Sequence, residues 1–187
     1  TGWSGAATFL RMLPSVLHLA VCVGSSPVSA AAPRPPRALL VAVGAPSVGG
    51  WPALAADADV ALLAPLLMRA GVELEVLDGP RATPGGVLAA MERYLGAAGT
   101  GGDVWLHISS HGTRVRDRNA DEADGWDEAL VLQPPVGGGR GEELLLDDAL
   151  ARQLTDLRRR LGPEGSVAVT VDACHGAGAV RGRDGRP

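Results

Sequence analysis

Lysine is absent from this chain: all 17 basic residues are arginine. That absence excludes the phosphate loop of nucleotide hydrolases, whose Gly-Lys-Ser/Thr core needs an ammonium group at the phosphates. The run Asp121-Glu122-Ala123-Asp124, which spells a helicase box, is therefore not read as one. It also follows the polar stretch RVRDRNA instead of closing an apolar strand. The formal net charge is −4 with no basic stripe, which excludes nucleic acid as a partner. Aromatic residues make up 3% of the chain against an apolar fraction of 46%, so Val, Leu and Ala must build the core. A parallel sheet clad by helices uses such residues well, and 187 residues suffice for one such domain. Two cysteines, Cys22 and Cys174, are too few for a disulfide framework.

Long apolar runs are also missing. The stretch MLPSVLHLAVCVG after Arg11 is too short and too interrupted to span a membrane, so an integral membrane protein is not expected. Followed by SSPVSA, with small residues ending at Ala30, it has the layout of a secretory signal peptide. The proline-stiffened AAPRPPR stretch then reads as a linker. The expected organisation is a leader and linker over 1–36, one folded domain over 37–182 and the start of a second linker over 183–187. Thr1 and the polar run RGRDGRP read as truncated ends. A working leader implies a secreted or periplasmic protein; without one the expectation is cytoplasmic.

From Arg37 the chain alternates between β-like and helical patterns. Ala38–Gly44 is a continuous apolar run that suits a buried strand, and Asp57 and Asp59 can open a helix running to Arg69 despite Pro65. Val72–Leu77 is a second strand, and Thr83-Pro84 starts a helix ending near Gly96. Asp103–Ser109 alternates as a third strand. After a loop, Asp147 and Asp148 open a helix closed by Arg158, Arg159 and Arg160, signs that suit the helix dipole. Ser166–Asp172 is the fourth strand. This order predicts a mostly parallel sheet with chemistry at the carboxyl ends of its strands.

Two of those ends carry reactive side chains. The third strand runs into Ser110-His111-Gly112 and the fourth into Ala173-Cys174-His175. If these strands are neighbours, imidazole and thiol meet across the top of the sheet. A free thiol titrates near about 8.5, so a neighbouring base is needed to form the attacking thiolate. The backbone N–H groups of Gly112 and Cys174 could hold the oxyanion of a tetrahedral intermediate.

The segments HISSHGTRVRDRNADEADGWDEAL and VAVTVDACHGAGAVRG resemble the metacaspases and their bacterial caspase-like relatives. The family pattern is an apolar strand ending Ser-Gly-His-Gly, an Asp-Glu-x-Asp-Gly-x-Asp-Glu loop, and a second strand ending Asp-Ser/Ala-Cys-His-Ser-Gly. The resemblance implies a caspase-hemoglobinase-like, three-layer α-β-α sandwich, incomplete at its C-terminus for want of the small-subunit region that completes the family's sheet and cleft. It implies a cysteine endopeptidase with His111 as base and Cys174 as nucleophile, needing no cofactor for the chemistry. Asp172, with Asp59 or next best Asp57, would line a pocket selecting Arg or Lys before the scissile bond, in polypeptide substrates. Two departures stand out: Ser110 replaces the family Gly, and Gly176-Ala177 replaces Ser-Gly.

The acids Asp117, Asp121, Glu122, Asp124, Asp127 and Glu128 crowd the loop after His111, a donor set that suits a hard cation. The resemblance implies calcium, with Asp121, Glu122, Asp124 and Asp127 as ligands; the competing reading is a solvated acidic loop without metal. The register is not that of an EF-hand. A zinc site at His107 and His111 is disfavoured, since that pair lies on a strand and lacks the glutamate of the zinc-protease helix. The remaining alternative is a catalytically silent caspase-like module acting in recognition or as a scaffold.

Overall fold

The computed structural model describes residues 34–117, 122 and 124–174. The predicted leader, Asp121, and the segment from His175 onward, including the departures at Gly176-Ala177, lie outside the described residues.

Strand β1 (Arg37–Ala42) is apolar after its first residue, and Ala38 to Val41 are completely buried. Alternating side chains then need partners on both faces. Leu39 and Val41 join a core with the helices on one face, while Ala38, Leu40 and Ala42 pack on Ala56 and Val60 of the other. Helix α1 (Ala56–Arg69) supplies the second face and leads into β2 (Glu73–Leu77). Its Asp57 and Asp59 occupy the first turn, where the dipole favours them, while the cap position itself falls to Ala55. The helix passes through Pro65 unbroken.

Helix α2 (Pro84–Ala90) begins as its sequence predicts. The Thr83 hydroxyl accepts the Gly86 N–H at 2.9 Å, and Pro84 takes the first turn. It continues as a π turn (Met91–Leu95) and a 3-10 turn (Gly96–Ala98), burying Met91 and Leu95. Strand β3 (Asp103–Ser109) follows, and α3 (Asp147–Leu161) and β7 (Ser166–Asp172) complete the layer. Leu150, Leu157 and Leu161 form the buried face of α3.

The main sheet is parallel in the order β2-β1-β3-β7. Helix α1 covers one face, while α2 and α3 cover the other. The chain moves from β1 outward to β2 with its helix on one face, then back across to β3 with its helix on the other. A shared right-handed crossover sense requires that switch of faces. The architecture is a three-layer α/β sandwich, and its switch point falls between β1 and β3.

The segment between β3 and α3, expected as a loop, is instead largely extended. Three strands, β4 (His111–Arg116), β5 (Trp126–Val131) and β6 (Leu144–Leu146), form a second, antiparallel sheet in the order β4-β5-β6. The acidic stretch is thus a hairpin. Of its acids, Asp117, Glu122 and Asp124 lie between the two paired strands, while Asp127 and Glu128 are strand residues paired with Val115 and Arg114.

Candidate active site at the sheet switch point

Ser109 of β3 is the register partner of Asp172 of β7. His111 and Cys174 each lie two residues further along these neighbouring strands, so their backbones leave the sheet side by side. The Ser110 N–H continues the pairing to the Asp172 carbonyl at 3.2 Å. Gly112 packs directly on the backbone of Cys174: a Cβ there would collide with the Cys174 carbonyl and lie 3.4 Å from its nitrogen. Only glycine permits this approach of the two backbones. Cys174 is a free, exposed thiol. Ser110, where the family has glycine, is buried and donates its hydroxyl to the His111 carbonyl at 3.1 Å.

The imidazole of His111 is held from the far side of the switch point. Its Nε2 lies 2.8 Å from the Pro52 carbonyl, and its ring stacks on Trp51 with centroids 5.2 Å apart and planes tilted by 30°. A carbonyl only accepts, so this contact places a proton on Nε2, and in the neutral ring the basic lone pair is then on Nδ1. Trp51 and Pro52 belong to the β1–α1 connection and carry no signal that sequence reasoning used. A backbone carbonyl is anonymous in sequence.

Asp172 and Asp59 sit on the α1 side of the sheet with His107. Burial lowers the pKa of His107, and the carboxylates of Asp172 and Asp59 act in the opposite direction. His107 Nδ1 meets the Thr170 hydroxyl at 2.8 Å, and Trp105 donates to the same oxygen at 3.0 Å. Asp57 is placed differently, with its carboxylate packed where a side chain at Gly44 would stand. Two open hollows of about 440 and 430 Å³ lie away from the dyad, one beside Arg158 and Pro163, the other between Ser47, Gly79 and Val136.

At the acidic hairpin, the turn is closed by Asp117, which accepts the Glu122 N–H at 3.1 Å, and by Asp124, which accepts the Trp126 N–H at 3.1 Å. Arg114 reaches Asp124 at 3.5 Å and Glu128 at 3.3 Å. Asp127 is buried, and Asp147, read from sequence only as a helix opener, joins it. Burial pushes Asp147 up to about 6 against the pull of the Asp148 N–H, with the charges of Glu122, Asp127 and Asp148 adding to the rise. Among the described residues, no three His, Cys, Asp or Glu side chains converge into a metal site.

No protein-family model matches the chain. Metacaspase-1B of Aspergillus fumigatus is 31% identical over 98 residues, covering 52% of this chain and 22% of that protein. Metacaspase-1B of Aspergillus oryzae is 29% identical with the same coverage. The chain thus spans less than a quarter of the length of these relatives. Among solved structures, protein GSU0716 of Geobacter sulfurreducens matches 75% of this chain and 51% of its own, at 29% identity and a TM-score of 0.59. No helix among the described residues is long and apolar enough to cross a membrane. The chain has a caspase-like α/β sandwich fold and is similar to metacaspases over about half its length.

Proposed function

We propose that this chain carries the nucleophile and base of a caspase-like cysteine endopeptidase. The observation that carries the reading is the joint exit of His111 and Cys174 from paired strands, with His111 Nε2 already committed to the Pro52 carbonyl. That commitment leaves Nδ1 to take the thiol proton. The Cys174 thiolate then attacks the scissile carbonyl carbon, and the N–H groups of Gly112 and Cys174 receive the oxyanion. His111 returns the proton to the leaving amine, and water, activated by the same nitrogen, hydrolyses the thioester. Asp172 and Asp59 favour a cationic side chain before the scissile bond, since both project to the side of the sheet shared with His107.

Calcium at the acidic hairpin belongs to the same proposal and enters no catalytic step, because the described residues form no ligand set there. The crowding of negative charge around Asp147 is what favours a cation. The deciding experiment is hydrolysis of an arginyl reporter peptide by full-length protein. Cys174→Ala is expected to lower kcat by roughly 10³-fold or more, and Asp172→Ala to erase the preference for Arg over Asp substrates. Cleavage retained in Cys174→Ala would exclude the mechanism. A soluble, folded protein that cleaves nothing and leaves its thiol unlabelled by an arginyl chloromethylketone would favour the silent module instead.

A further inference from the structure

Gln133 follows the end of β5 and is fixed by its own backbone, whose N–H donates to the Ala82 carbonyl at 2.8 Å. From that anchor its side chain crosses to the β1–α1 connection. The amide Nε2 donates to the Ala45 carbonyl at 2.9 Å, and the Oε1 accepts the Ser47 N–H at 3.0 Å. A carboxamide carries a donor and an acceptor on separate atoms, as a backbone peptide does, so it can serve a carbonyl and an N–H at once. The two partners also fix its orientation, because a flipped amide would set oxygen against oxygen and N–H against N–H. The clamped segment leads within a few residues to Trp51 and Pro52, the two groups that hold the His111 ring. Its far end is tied as well, by the Leu54 N–H on the Gly44 carbonyl at 2.6 Å.

We propose that Gln133 is a positioning residue for His111, acting through this clamp on the Ala45–Pro52 segment. It touches neither thiol nor imidazole. Loosening it lets the Pro52 carbonyl drift, and the proton on Nε2 is then no longer held there. The catalytic consequence rests on the peptidase reading above; the effect on the imidazole does not.

The experiment compares full-length wild type with Gln133→Ala and Gln133→Met. The methionine variant keeps the side-chain length and removes both hydrogen bonds, so a loss caused only by missing volume is separated out. Amide exchange at Ser47 is expected to quicken by about tenfold or more, and the nitrogen chemical shifts of His111 to move from the Nε2–H form toward a mixture of tautomers. With an arginyl peptide, kcat is expected to fall about 10- to 100-fold with KM little changed, and the acid limb of the pH–rate profile to move. Unchanged Ser47 exchange and an unchanged His111 tautomer would overturn the proposal whether or not the protein is active. So would a loosened segment with unaltered kcat and pH profile in an active enzyme. A shifted tautomer in a protein whose wild type cleaves no arginyl peptide would sink the peptidase reading and leave the clamp standing.

Discussion

His107 has two carboxylates acting on it, Asp172 and Asp59, yet burial dominates and favours its neutral form. The sign follows from linkage. Its folded pKa lies below the ordinary 6.5, so on acidification the unfolded chain takes up a proton that the folded chain resists. The stability contribution is present above the ordinary value and is lost as pH falls through the folded one. The denaturation midpoint of wild type is therefore expected to fall between about pH 7 and about pH 5, and His107→Gln, which keeps a hydrogen-bonding partner for Thr170, to fall less steeply. Identical slopes for the two proteins would refute the assignment. At this scale the sequence displayed what was chemically distinctive: His111 and Cys174 are reactive types at strand ends beside glycine. It hid Pro52, whose contribution is a main-chain oxygen, and Gln133, whose amide type is common on any surface. It leaves Asp59 and Asp57 as alternatives, and their surroundings differ: one carboxylate acts on His107 and the other fills the space at Gly44.

At the scale of elements, the parallel layer was legible and the antiparallel one was not. Strands β1 and β3 advertise themselves by apolar runs or strict alternation, and α3 by leucine spacing between acidic and basic ends. Strand β4 reads HGTRVR and β5 WDEALV, with charge where a strand pattern expects apolar residues, and β6 has three residues. Cross-strand partners explain how such a hairpin forms: Arg114 pairs with Glu128, and the Arg116 guanidinium lies 5.0 Å over the Trp126 ring. Asp127 is buried by this pairing and brought under the start of α3, where Asp147 feels its charge. If a cation settles there, it must stabilise two elements at once. Millimolar calcium is expected to raise the thermal midpoint and to slow amide exchange at Glu122 and Gly125 and in the first turn of α3 together. Asp127→Asn is expected to abolish both effects. A midpoint indifferent to calcium removes the ion from this hairpin.

Across the whole molecule the two helical layers are unequal, and that inequality bears on the site. Among the described residues, the α2/α3 side of the sheet gathers a broad buried cluster running from Leu39 through Met91 and Ile108 to Leu161. The α1 side buries only Ala38, Leu40, Ala42, Ala56 and Val60, while Leu62, Leu66 and Met68 of α1 stand exposed. Pro65 further removes one N–H from the helix ladder. Burial is the main source of helix stability in a folded protein, so α1 is the layer expected to open first. It is also the layer that follows the Trp51–Pro52 connection and carries Asp59, so the base and the proposed pocket would share the less stable half of the sandwich. Native-state hydrogen exchange tests this directly: amides in the middle of α1 are expected to exchange through openings at least ~2 kcal/mol below those of α3. Leu40→Ala is expected to widen that gap, because it hollows out the thin layer, whereas Leu39→Ala is expected to lower the global stability by about 2–5 kcal/mol. Equal protection of α1 and α3 in the unmodified protein would show that the thin layer is as firmly held as the thick one, and would remove the link between local opening and the placement of His111.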